Sequence, residues 1–174
     1  NYFYTPYNPN TESHIQRQYV LPDTSYYNVN TYADNLTNSH RFNLNMLYQV
    51  DSMNSIRINP SFSYQKTNNR SQSDYQTLSE QRSMINEGFS NNHSGSEGYN
   101  FRNDITWRKK FARKGRTFSL LLQTTLNESE GDGSLSSVNS FYNPNGSLFR
   151  KDTLNQQSIT TGDLRGYTAR AVYT

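Results

Sequence analysis

Arg41-Phe42-Asn43-Leu44-Asn45-Met46-Leu47-Tyr48-Gln49-Val50 is the stretch on which the fold turns. Phe42, Leu44, Met46, Tyr48 and Val50 hold one parity, and Arg41, Asn43, Asn45, Leu47 and Gln49 the other. Side chains of a strand point alternately to its two faces, so the run reads as a strand with one apolar and one polar face. Asp51-Ser52-Met53-Asn54 then supplies a tight polar turn. Past it, Ile56, Ile58, Phe62 and Tyr64 alternate with Ser55, Arg57, Asn59, Ser61 and Ser63. Pro60 interrupts the apolar parity and has no N–H for a ladder, which predicts a bulge or local irregularity. Together the runs predict a hairpin over about residues 38–65.

The pattern returns downstream. Tyr99, Phe101, Ile105, Trp107 and Phe111 alternate with Asn100, Arg102, Asp104, Thr106, Arg108 and Lys110. After a turn at 112–116, Phe118, Leu120, Leu122, Thr124 and Leu126 alternate with Thr117, Ser119, Leu121, Gln123 and Thr125. This is a second hairpin, about 99–127, and Tyr167, Ala169, Ala171 and Tyr173 open a further strand from about 165. Residues 1–37, 66–98 and 128–163 are polar and rich in Asn, Ser, Gly and Gln, and read as long loops. Weak alternation at 73–77 and 137–141 points to strands running some way into them.

Composition narrows the class. The 174 residues are only 32% hydrophobic and 18% charged, with 14 Tyr, 9 Phe and no Cys. Asn and Ser make up roughly a quarter of the chain. The mean hydropathy is −0.99. Disordered chains pair low hydrophobicity with high charge and few aromatics, which does not describe this one. The longest aliphatic run, Leu120-Leu121-Leu122, is far short of the ~20 residues of a spanning helix. A spanning strand needs about 9–11 residues, apolar at every second one. Without cysteine there is no disulfide or thiolate metal site. The net charge of +3 is too small to argue for nucleic acid. Short turns alternating with long loops, joined by half-apolar strands, describe an antiparallel transmembrane β-barrel. About five spanning strands are legible, fewer than the eight or so of a closed single-chain barrel, which implies a partial segment.

Two stretches carry a family resemblance: Leu47-Tyr48-Gln49-Val50-Asp51-Ser52-Met53-Asn54-Ser55-Ile56 and Trp107-Arg108-Lys109-Lys110-Phe111-Ala112-Arg113-Lys114-Gly115-Arg116-Thr117-Phe118-Ser119-Leu120. Both resemble hairpins of the Bacteroidetes outer-membrane β-barrels related to TonB-dependent receptors, over roughly residues 15–174. Gln18-Tyr19-Val20-Leu21-Pro22-Asp23-Thr24 resembles their extracellular loops. The resemblance implies an outer-membrane location and a non-catalytic role in nutrient uptake or envelope transport. It also implies contact with outer-membrane lipid, and with a plug domain, TonB-type energy coupling or a surface lipoprotein supplied by other parts or chains.

On this reading Arg57, Arg102, Asp104, Arg108 and Gln123 face a lumen. Phe42, Leu44, Met46, Ile56, Ile58, Trp107, Phe118, Leu120 and Leu122 face lipid. Asp51, Ser52, Lys114 and Gly115 form periplasmic turns. The basic run 108–116 straddles a turn, so cations at lipid headgroups, with Lys109 snorkelling, are favoured over a nucleic-acid site. Tyr48, Tyr64, Tyr99 and Trp107 are favoured as lipid-facing or girdle aromatics over carbohydrate platforms. Glu128-Ser129-Glu130-Gly131-Asp132-Gly133 lacks the spacing of a calcium loop and reads as a solvated turn. His14, His40 and His93 fall in no ligand pattern, and no cofactor or catalytic set is expected. The competing class is a secreted or surface all-β adhesion module, in which a second sheet covers the apolar parity.

Overall fold

The computed structural model describes residues 1–20 and 23–174. Leu21 and Pro22, within the loop expected at 18–24, lie outside the described residues. Eight strands form one antiparallel sheet: β1 (Tyr2–Tyr7), β2 (Asn10–Tyr19), β3 (Ser25–Asn43), β4 (Met46–Gln49), β5 (Asn54–Ser79), β6 (Met84–Lys110), β7 (Thr117–Tyr142) and β8 (Leu148–Tyr173). β1 and β2 both pair with β3, and β3 and β4 both pair with β5, so the sheet has six lanes. The all-β antiparallel architecture is as expected. The sheet is open, with β1 and β2 on one edge and β8 on the other, and barrel closure is not seen.

Both expected hairpins are present, turning at 50–53 and 111–116. The long loops are not. Residues 66–79, 84–98, 128–142 and 148–163 continue β5, β6, β7 and β8, and most of 1–37 is strand. The strand expected from about 165 begins at Leu148. The weak alternation at 73–77 and 137–141 does mark strand, but most of these segments escape a search for apolar alternation because both of their faces are largely polar. They pair through the backbone ladder, assisted by cross-strand side-chain bonds such as Thr31–Ser73 (2.9 Å) and Tyr4 O–H to Asn38 (2.9 Å). Tight turns close the far end: Ser79 N–H donates to Ser83 (2.8 Å), and Asn143 N–H to Ser147 (2.9 Å). Gly146, at φ 79°, supplies the left-handed residue of Asn143-Pro144-Asn145-Gly146.

Pro60 makes no bulge. It pairs with Asn103 in unbroken register, and the irregularity falls on its other neighbour. Leu44 N–H donates to the Pro60 carbonyl (3.0 Å), but the reciprocal N–H is missing, and the lane breaks there between β3 and β4. The same chemistry divides β1 from β2. Asn35 N–H reaches the Pro9 carbonyl (3.2 Å), and Pro9 has nothing to return.

No hydrophobic residue is buried among the described residues; the sheet is a single layer whose apolar side chains meet no second layer.

Candidate functional site: two chemically opposed faces

The register sorts the candidates cleanly. Arg57, Arg102, Asp104, Arg108 and Gln123 share one face, since Asp104 pairs with Asn59 and Gln123, Arg57 with Thr106, and Arg108 with Ser55 and Ser119. We term this the polar face. The opposite, banded face carries Phe42, Met46, Ile56, Ile58, Trp107, Phe118, Leu120 and Leu122. Leu44, also expected there, lies in the break opposite Pro60. Asp51 and Ser52 lie in one turn, Lys114 and Gly115 in the other, at the same end of the sheet.

On the banded face the apolar residues line up across lanes as well as along strands. Tyr48, Ile56, Trp107, Leu120 and Ala171 form one level, and Met46, Ile58, Ile105, Leu122 and Ala169 the next. Two levels further lies Phe42–Phe62–Phe101–Leu126, capped by Tyr4–His40–Tyr64–Tyr99. Pro60, Asn103 and Thr124 dilute the level between them. Trp107 packs edge-on to Phe118 (centroids 5.7 Å), and Phe62 stacks on Tyr99 (6.2 Å). From the Phe118 level to the Tyr99 level is ten residues on β6, about 34 Å of strand.

The aromatic cap is bordered by polar groups, beside it and one level beyond. Tyr99 O–H donates to Glu128 (2.8 Å) and Tyr64 O–H to Glu97 (3.2 Å), while Lys66 Nζ pairs with Glu97 (2.8 Å). The Lys66 ammonium, then the Tyr64 hydroxyl, holds the Glu97 carboxyl below its ordinary range. Glu128, Glu130 and Asp132 are consecutive banded-face positions of a regular strand, not members of a turn. Among the described residues no His, Asp and Glu group could hold a metal ion.

The polar face has a small network. Gln123 Nε2 donates to Asp104 Oδ1 (2.7 Å), which also accepts from Arg102 Nε (3.4 Å). Farther along, Tyr75 lies across Gly88 and donates to Asn139 Oδ1 two lanes away, so a residue without a side chain is roofed by an aromatic ring. In the turn at 50–53, Asp51 Oδ1 accepts from Met53 N–H (2.7 Å) and Asn54 N–H (2.7 Å). The Asn54 side chain, then the Met53 amide, holds the Asp51 carboxyl low.

Parity alone separates the two faces. The lateral levels and the Tyr4–His40–Tyr64–Tyr99 cap are not legible in the sequence, because they depend on pairing between residues tens of positions apart.

No family model and no curated protein matches the chain. Among solved structures, the membrane pore complex of pneumolysin is similar at 8% identity and a TM-score of 0.21. That match covers 98% of this chain, which spans 31% of the pneumolysin chain. A likeness at that level carries no argument about fold or function.

Proposed function

We propose that the chain is a wall segment of a bacterial outer-membrane β-barrel of the TonB-dependent-receptor kind, non-catalytic, serving nutrient uptake or envelope transport. The observation that carries this reading is the apolar band: it lies on one face and at one end of the sheet, is aligned across lanes, and is covered by nothing among the described residues. About 34 Å of strand tilted by roughly 40° spans about 26 Å of height, close to the ~25 Å apolar band of outer-membrane barrels. The Tyr4–His40–Tyr64–Tyr99 level then lies at one membrane–water interface, and the basic turn at 111–116 lies among headgroups at the other. Beyond the aromatic level, strands such as β5 run 15 residues more, from Tyr64 to Ser79. This two-sided polar stretch forms an extracellular collar of about 50 Å along the strands, the region suited to meeting a ligand or surface lipoprotein. A plug and energy coupling belong to other parts. An adhesion module would need a second sheet over the band, and this chain contributes one layer only.

The single tryptophan, Trp107, provides the test. In vesicles with bromine on the lipid tails, its fluorescence is expected to be quenched severalfold more than by aqueous iodide. Dominant quenching by iodide, or a chain that stays monomeric in water without detergent, would overturn the reading.

A further inference from the structure

The charges are divided between the two faces far more unevenly than a net of +3 suggests. Of 14 acidic residues, nine lie on the banded face, three in turns, and only Asp104 and Asp152 on the polar face. Of 17 basic residues, eight lie on the polar face. Six of those eight, Lys110, Arg108, Arg57, Arg170, Arg102 and Arg41, stand directly behind the apolar band. Asp104 is the single carboxylate among them.

Their spacing is regular. Taking successive polar-face levels along the strands, Lys110 stands at the first, Arg108 at the second, Arg57 with Arg170 at the third, Asp104 at the fourth, Arg102 at the fifth and Arg41 at the sixth. A cation therefore occurs at five of six levels, over about 34 Å of strand. Arg57 and Arg170 share a level but are three lanes apart, about 14 Å. All six are exposed, and among the described residues only Arg102 has a carboxylate within 4.0 Å. Arginine offers a planar fork of donors suited to carboxylate and phosphate oxygens. Confined behind a low-dielectric band, such charges add to one another's field and concentrate anions.

We infer that the polar face behind the apolar band is an anion-binding track, taking multivalent solutes that bear phosphate or carboxylate groups. The inference rests on the barrel-wall reading for its confined setting, but the track itself is a property of the sheet. The probe is inorganic triphosphate, titrated into the full chain in zwitterionic detergent micelles. Binding is expected to weaken about tenfold for each of Arg57→Gln, Arg108→Gln and Arg170→Gln, from loss of charge-assisted hydrogen bonds. Lys66→Gln and Arg165→Gln, on the banded face, are expected to leave it unchanged within twofold. A parallel arm measures partition into phosphatidylcholine vesicles with and without phosphatidylglycerol. Sensitivity of that partition, rather than of triphosphate binding, to the polar-face variants would assign the cations to lipid phosphate and overturn the solute track. No triphosphate binding, or equal loss from both sets of variants, would also overturn it. Tail-bromine quenching of Trp107 without triphosphate binding sinks the track and leaves the wall; binding without quenching does the reverse.

Discussion

Gly88 and Asp51 show two ways in which single residues hold a coreless sheet. The Tyr75 ring occupies the space that a Cβ at position 88 would take. Gly88→Val is therefore expected to displace Tyr75 and break its bond to Asn139, costing about 1–2 kcal/mol in urea unfolding. In a double-mutant cycle with Tyr75→Ala the two effects should be strongly non-additive, and simple additivity would show that the ring does not roof the glycine. Asp51 acts through charge. Its carboxyl is held low in the fold, so its contribution is complete above the ordinary carboxylate range and is lost as pH falls through the lowered value. Asp51→Ala should accordingly lower the melting temperature by a few degrees at pH 7 and by less at acid pH. An equal loss at both pH values would count against the carboxylate as the cause.

At the scale of elements, prolines decide where ladders stop. Pro9 and Pro60 each stand at a position whose N–H would return a hydrogen bond to the neighbouring lane; Pro9 lies in the break between β1 and β2, and Pro60 opposes the break between β3 and β4. Pro6 sits inside β1 without harm: it is three residues from Pro9, so its nitrogen faces the open edge instead of β3. Replacing Pro60 with Thr restores the missing donor. Hydrogen exchange should then find a protected amide at position 60 and slower exchange at 44–46, fusing β3 and β4 into one strand. An unprotected amide at position 60 would show that the break has another origin.

For the whole molecule, the length and chemistry of the strands matter together. Strands of 26 and 27 residues exceed what a membrane needs, and the apolar band occupies only one end of them. The rest is a polar, two-sided sheet held by backbone pairing and by short side-chain bonds among Thr, Ser, Tyr and Asn. Each lane gains its position from neighbours, so losing one lane exposes the next. On the proposed membrane placement, the free edge along β8 includes residues 165–173 at the depth of the band, where an unpaired backbone would be costly in lipid. That cost is the physical reason for reading the sheet as part of a larger closed wall.

The sequence by itself determined the two hairpins, the two-faced character of their strands, and the division of Phe42, Ile56, Trp107 and Leu120 from Arg57, Asp104 and Arg108. Alternation of period two is written locally, and no distant residue can alter which side of a strand a side chain leaves. Only the tertiary structure decided that 66–79, 84–98, 128–142 and 148–163 are strand throughout, because Ser, Asn and Gly on both faces leave little hydrophobic trace beyond 73–77 and 137–141 and their pairing partners lie in other lanes. It also decided which residues share a height. Arg57 and Arg170 are 113 positions apart in sequence and meet at one level only through the registers of three successive strand pairs. A level of a sheet is a property of backbone hydrogen bonds between lanes, and those bonds carry no signature in any one strand.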